Sequence, residues 1–267
     1  MADGPLRHAF VIPAYGESPF LPACLDSITS QTRRGSSILI TTSTPSAYLD
    51  TLARRHGVPL IVNPRRGTIG SDWNFALAAS DAACTTLAHQ DDTYHPEYVA
   101  RLVQPIGQTP DFSIAFCDYV ETSGQNMRPL HANIRIKRLL TRRAFGRGDV
   151  ISDAAAKRRM LAWGNPVCCP SVVLNRAALP DFRFREDLYS NLDWEAWLRL
   201  AERPGAFVYV REPLVTRRIH AQSETTSLIA DKRRLDEDRA MFERFWPKPM
   251  AALIMTVYRA SYFANRT

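Results

Sequence analysis

Two rhythms of apolar and polar residues alternate along this chain. Short apolar runs bounded by Pro, Gly or Asn predict buried strands at residues 9–12, 37–42, 59–62, 85–88 and 111–120. Between them, apolar positions three and four apart predict helices at 20–30, 47–56, 71–79 and 96–104. Leu21, Leu25 and Ile28 mark the first of these helices, and Gly57 ends the second. Ser71 is a candidate N-cap for the third, and Pro96 suits the first position of the fourth. Strands alternating with helices imply βαβ units with right-handed crossovers. The expected class is α/β, with a mostly parallel central sheet flanked by helices.

The rhythm changes after residue 120. Residues 128–160 read as a basic, irregular loop followed by a helix over 149–161. Strands are expected again at 171–175, 207–210 and 214–219. Leu192, Trp194, Trp197, Leu198 and Leu200 give an amphipathic helix over 191–201. A charged helix over 231–245 and a more apolar one over 250–263 form a C-terminal helical extension. No run of 18 apolar residues exists, and residues 1–10 lack the basic-then-apolar pattern of a signal peptide.

Composition narrows the class further. The 267 residues are 45% hydrophobic and 23% charged, enough for a sizeable core in one large or two small domains. Five cysteines without C-x-x-C spacing argue against a disulfide framework or a zinc site and favour a reducing, cytoplasmic compartment. The net charge of +7 is concentrated, with ten Lys or Arg and two Asp between Arg128 and Arg159. Such a segment suits an anionic partner: a diphosphate, or an anionic membrane surface met jointly with the C-terminal helix. The plain alternative is a solvated helix face. Nucleic acid fits poorly, because the segment has few aromatics to stack bases and no recognised motif.

The sharpest chemical signal is Asp91-Asp92, placed where the strand over 85–88 should end. Adjacent carboxylates repel unless a cation or donor network sits between them, and ligands gather at the C-terminal edge of an α/β sheet. The pair therefore predicts a divalent metal and a phosphorylated ligand, against the alternative of an Asp-rich turn.

Four segments in order resemble family 2 glycosyltransferases, which have the Rossmann-like GT-A fold. Val11-Ile12-Pro13-Ala14-Tyr15-Gly16-Glu17, followed by Cys24-Leu25-Asp26-Ser27-Ile28 and Gln31-Thr32, is similar to the family's opening. Residues 67–74 (GTIGSDWN) resemble its Gly-rich turn and Asn-bearing helix. His89-Gln90-Asp91-Asp92 stands where the family has its DxD-type motif, and residues 182–199 resemble its acidic acceptor-side segment. The resemblance implies that Pro13, Ala14, Tyr15 and Glu17 line the nucleotide pocket. Asp72 and Asn74 then lie near the nucleotide and sugar, with Asp91 on the donor. Asp92 and His220 hold Mn2+ or Mg2+ on the diphosphate, and Asp193 is the general base, with Asp187 and Glu195 as alternatives.

This chain departs from the family in two places. Thr41-Thr42-Ser43 stands where an acidic pair usually reads the base, which leaves Thr42 and Ser43 as candidate base contacts, and His89 replaces the leading Asp. The implied protein is an inverting enzyme that transfers sugar from a nucleotide-diphosphate donor to a carbohydrate or lipid-linked glycan acceptor. It would have a nucleotide-binding half over about 1–120, an acceptor half over 121–227 and an extension over 228–267. The competing readings are a nucleotidyltransferase and a degenerate, non-catalytic scaffold module.

Overall fold

The computed structural model describes residues 7–123, 126–127, 132–220 and 232–264. In chain order its elements are β1 (His8–Ala14), α1 (Leu21–Thr29), β2 (Ser37–Thr42), α2 (Ala47–His56), β3 (Leu60–Val62), α3 (Ile69–Ala78), β4 (Cys84–Leu87), β5 (Thr93–Tyr94) and α4 (Tyr98–Gly107). There follow β6 (Phe112–Ser123), β7 (Asn126–Met127), α5 (Ala132–Phe145), β8 (Val150–Ile151), α6 (Ala154–Leu161), β9 (Val172–Asn175), α7 (Leu192–Ala201), β10 (Ala206–Ile219), α8 (Lys232–Glu243) and α9 (Lys248–Ala264). The strands form one mixed sheet in the order β3-β2-β1-β4-β9-β6-β10-β5, with β7 on β6 and β8 on β10.

The first half follows the expected βαβ logic. β1 pairs in parallel with β2 and with β4, and β2 with β3. The chain leaves β1 toward β2 on one side and returns to β4 on the other, so the strand order reverses at β1–β4. A crevice opens at such a switch point, beyond the carboxyl ends of the strands. Residues 15–20 follow β1 there and residues 88–92 follow β4.

The second half corrects several expectations. β9 is antiparallel to both β4 and β6 and separates them, so the sheet is mixed. The expected strands over 207–210 and 214–219 are one strand, β10, whose pairing with β6 shifts register on both sides of Pro213. Proline cannot donate to a ladder, so the register slips there and the run reads as two. Much of the stretch expected to be an irregular loop is α5, of 14 residues. Ile134, Thr141 and Phe145 form its buried face, and the apolar period is broken in sequence by part-buried Arg138 and half-exposed Arg142, which flank that face and reach Asp118 at 3.4 and 3.6 Å. Lys157 likewise points inward, donating to the carbonyls of Arg203 and Gly205 at 3.0 and 2.8 Å. The basic segment is therefore not one solvated face. Its first residues, 128–131, lie outside the described residues, as does the expected boundary at 227/228.

Two helix starts also differ. Thr68, not Ser71, caps α3, its Oγ1 accepting from the Ser71 N–H. α4 begins at Tyr98, two residues beyond Pro96. All five cysteines are free.

Two cores sandwich the sheet. One gathers α1, α2 and α4 against Phe10, Ile12 and Tyr98. The other gathers α3, α6 and α7 with Trp194 and Trp197, and it takes in Met241, Phe242, Ala251 and Met255 from α8 and α9. Trp194 and Trp197 have no exposed surface, so they pack the core. Burying such side chains contributes about 1.5–3 kcal/mol each. Because α8 and α9 share this core with α7, the C-terminal extension fixes the base of the helix on which Asp193 sits. Among the described residues no helix is long and apolar enough to cross a membrane.

Candidate active site

A cleft of about 710 Å³ opens over the switch point. Pro13, Tyr15, Glu17, Asp72, Asp91, Asp92, Asp193 and His220 all line it. Ala14, Thr42, Ser43 and Asn74, also expected there, do not: Ala14 is buried in the β1–β2 ladder opposite Thr42, and the other three make contacts within the fold.

On the β1–β2 side the chain turns at Gly16, whose φ of +62° suits glycine. Its N–H donates to Thr44 Oγ1 at 2.8 Å. Gln90 clamps the Tyr15 main chain from both sides, at 3.2 Å to its N–H and 3.1 Å to its carbonyl, leaving the Tyr15 ring more than half exposed at the mouth. Thr42 is buried with its hydroxyl on Thr44. Ser43 Oγ donates to Asp72 at 2.8 Å, and Asn63 Nδ2 donates to the other Asp72 oxygen at 2.9 Å. Ser43, at the end of β2, thus holds the Asp72 carboxylate of α3 in place. Asn74 is a latch: its amide donates to the Phe184 carbonyl and to Glu186, and it accepts from the Phe184 N–H. Gly70 makes the same docking possible, since a Cβ there would meet the Arg185 carbonyl at 2.5 Å.

At the β4 rim His89, Asp91 and Asp92 converge, with one ligand-type atom of each within 4.8 Å of the others. Asp92 is buried, and one of its oxygens accepts the Arg218 N–H at 2.9 Å. Burial first, then the charge of Asp91, pushes its carboxyl above the usual range. Burial pushes the His89 imidazole down to about 4, so it is neutral. The end of β10 brings His220, whose Nε2 lies 3.0 Å from Asp91 Oδ2. Asp91, rather than Asp92, is thus the direct partner of His220. Buried His220 Nδ1 and His89 Nε2 have no hydrogen-bond partner among the described residues. Carboxylate oxygens and imidazole nitrogens make a donor set that Mn2+ accepts and Mg2+ accepts through its oxygens.

Across the cleft, Asp193 stands in the first turn of α7. Asn165 Nδ2 donates to its Oδ2 at 2.8 Å and the Trp194 N–H to its Oδ1 at 2.8 Å. Burial raises its pKa; the Trp194 bond and the charges of Lys137, Arg217 and Arg234 act in the opposite direction. The two alternative bases stand elsewhere. Asp187 is exposed and paired with Arg185, and Glu195 is buried between Arg199 at 2.9 Å and Arg244 at 3.5 Å. Neither lines the cleft.

The loop before α7 is held by a residue that sequence reasoning passed over. The Glu237 carboxylate of α8 accepts the N–H groups of Tyr189, Ser190 and Asn191 at 2.7, 2.8 and 3.1 Å, and the Ser190 hydroxyl at 2.8 Å. Asp238 fixes the Asn191 side chain at 2.8 Å. Glu237→Ala is expected to cost roughly 2 kcal/mol from donors left without an acceptor. That is a fall of about 4–8 °C in Tm by differential scanning fluorimetry, with Glu237→Gln intermediate.

A mixed α/β sheet with a carboxylate cluster at its switch point and a separate acid facing it across the cleft is the GT-A architecture of a sugar transferase. The family comparison agrees: the chain belongs to glycosyl transferase family 2, whose model matches residues 9–176. Uncharacterized protein MT1568 of Mycobacterium tuberculosis is 27% identical over 237 residues, covering 86% of this chain and 73% of that protein. Among solved structures, S. aureus TarS 1-349 superposes with a TM-score of 0.65 at 11% identity, covering 93% of this chain and 69% of that one. A TarS complex with UDP-GlcNAc is similar to the same degree, TM-score 0.65. The mannosyltransferase PcManGT from Pyrobaculum calidifontis, in complex with GDP-Man and Mn2+, also gives 0.65, at 15% identity over 97% of this chain and 75% of that one.

Proposed function

We propose that the protein is an inverting glycosyltransferase that moves a hexose-type sugar from a nucleoside diphosphate to a hydroxyl of a glycan or lipid-linked glycan. The observation that carries this reading is the pair of acidic stations in one cleft, Asp91 with His220 at the β4 rim and Asp193 at the start of α7. Asp91 and His220 would hold a divalent cation, with Asp92 behind them fixing the turn. Bound there, the ion would supply positive charge to the departing diphosphate. The solved complexes of TarS with UDP-GlcNAc and of PcManGT with GDP-Man and Mn2+ support a nucleotide sugar and a divalent metal here.

In the transfer, the Asp193 carboxylate takes the proton from the acceptor hydroxyl as that oxygen bonds to the anomeric carbon. The bond from this carbon to the diphosphate oxygen breaks on the opposite face, and its electron pair leaves with the diphosphate. Attack from the far side inverts the configuration. The Tyr15 ring, exposed at the mouth, would stack on the base, with Glu17 near the ribose. Asp72, set by Ser43 and Asn63, would accept from a ring N–H that uracil, thymine and guanine carry and cytosine lacks. An anionic membrane surface as the place of work draws support from Ile136 and Leu139, exposed on α5, and from Met250 and Leu253, exposed on α9.

A thermal-shift panel of UDP, dTDP, GDP and CDP, each with and without Mn2+, tests this. At about a hundred times Kd a bound nucleotide adds about 2.7 kcal/mol, a rise of roughly 5–10 °C for a chain of this size. The expected result is such a rise for UDP, dTDP or GDP only with Mn2+, and none for CDP. No rise with any nucleotide would leave the fold as a non-catalytic module.

A further inference from the structure

The solvent face of α5 carries positive charge that the described residues do not answer. The helix holds five basic side chains and no acid. Ile134, Thr141 and Phe145 turn inward. The opposite face carries Ile136, Leu139 and Arg143, with Ile136 54% and Leu139 66% exposed. Beside Leu139 runs a groove of about 310 Å³, lined by Arg135, Arg138, Leu139 and Arg142. Its three guanidinium groups share a single carboxylate, the buried Asp118, which pairs with Arg138 and Arg142. Arg135 makes no ion pair among the described residues, and neither do Arg143 and Arg147. Asp149, just past the helix, is taken by Arg211 at 3.0 Å.

Two features of this face select its occupant. Clustered arginines without counter-charge call for anions. Exposed isoleucine and leucine among them call for apolar contact at the same place. An anionic phospholipid surface offers both, with phosphates at the headgroup level and acyl chains just beneath. A nucleic acid offers phosphates without an apolar layer, and α5 exposes no aromatic ring on which a base could stack. From the other flank of the same helix Lys137 lines the cleft. The groove and the cleft are thus one helix apart, about 10–12 Å.

We propose that the outer face of α5 docks on an anionic phospholipid membrane, with headgroup phosphates in the Arg135–Arg138–Arg142 groove and Ile136 and Leu139 dipping below them. α5, not α9, is then the anchor. The docking stands on the charge and exposure of α5; that it brings the cleft to a lipid-linked acceptor rests on the glycosyltransferase reading above.

Cosedimentation of the full chain with vesicles at low ionic strength tests this. Vesicles of phosphatidylcholine mixed with phosphatidylglycerol are expected to bind at least about 25-fold more tightly than phosphatidylcholine alone, and the preference should fade as salt shortens the Debye length. Arg135→Gln combined with Arg143→Gln should lose about 25-fold of that affinity, about fivefold for each charge. Leu139→Ser should lose about tenfold. All three side chains are exposed, so Tm should stay within about 2 °C of the parent, and the rise with Mn2+ and nucleotide should be unchanged. Three results would overturn the proposal: equal binding to neutral vesicles or to none, binding unchanged in the double arginine variant, or release of the vesicles by free glycerol 3-phosphate. The second, with binding lost in Leu253→Ser, would move the anchor to α9. The third would make the groove a site for small anions. Vesicle binding without any nucleotide binding would keep the docking face and end the glycosyltransferase reading. Nucleotide binding without vesicle binding would do the reverse.

Discussion

Asp193→Asn is expected to leave donor binding intact and lower kcat by about 10²- to 10⁴-fold, the usual contribution of a positioned general base. That range corresponds to roughly 3–5 kcal/mol of transition-state free energy. The substitution is nearly isosteric, and the site keeps its shape because Asn165 and the Trp194 N–H approach the side chain from fixed positions. Tm should stay within about 4 °C, since the loss of one accepted bond opposes the removal of an ionised carboxylate from a burying site. Asp193 has a folded pKa above its unfolded value, so its stabilising contribution is present below the unfolded pKa and lost as pH rises through the folded one. Where the carboxylate is ionised its charge is held at a cost, which is the condition of a useful base. The rate profile runs the other way. Asp193 faces Lys137, Arg217 and Arg234, and kcat should fall about tenfold per pH unit below the raised pKa of its carboxyl. Asp193→Asn should abolish that acid limb. Steady-state kinetics from pH 4 to 8 on both proteins is the measurement. Full activity in the variant would return the role to another carboxylate.

Much of this molecule was legible in its sequence wherever the signal was local. The bounds of α2 follow from Ser46, whose hydroxyl accepts the Leu49 N–H, and from Gly57 at φ +62°. Asp91 and Asp92 announced themselves because both sit on one turn after one strand. What could not be read depends on distant partners. α5 looked irregular because its short buried face of Ile134, Thr141 and Phe145 is flanked by arginines that answer Asp118 on β6. The Asp72 station needs Ser43 and Asn63, which meet it only when the ends of β2, β3 and α3 are brought together. Glu237 reads as one more acid on a charged helix until the loop 46 to 48 residues before it presents its bare N–H groups. The choice between Asp193, Asp187 and Glu195 was open for the same reason: what separates them is which arginines reach the other two.

Asp91→Asn is expected to abolish Mn2+-dependent nucleotide stabilisation, removing the whole rise of roughly 5–10 °C that metal and nucleotide together produce in the parent protein. The physical basis is the division of labour between two neighbouring acids. Asp92 is 2% exposed and spends an oxygen on the Arg218 N–H, which ties the β4 turn to β10. Its replacement by Asn should therefore disturb the fold and the site together. Asp91 is only part-buried, and its Oδ2 faces His220 Nε2 at 3.0 Å across the cleft. Its replacement removes a charged oxygen from the cation's position while leaving the turn hydrogen-bonded. Without manganese the two proteins should melt within about 2 °C of one another, because a part-exposed polar pair contributes little to stability. His220→Ala should show the same pattern in weaker form, since imidazole supplies one neutral ligand where the carboxylate supplies charge. Thermal shift and direct Mn2+ titration distinguish the outcomes. If Asp91→Asn binds manganese like the parent while Asp92→Asn loses it without loss of Tm, the buried acid is the ligand, and the pairing of Asp91 with His220 is an ion pair only.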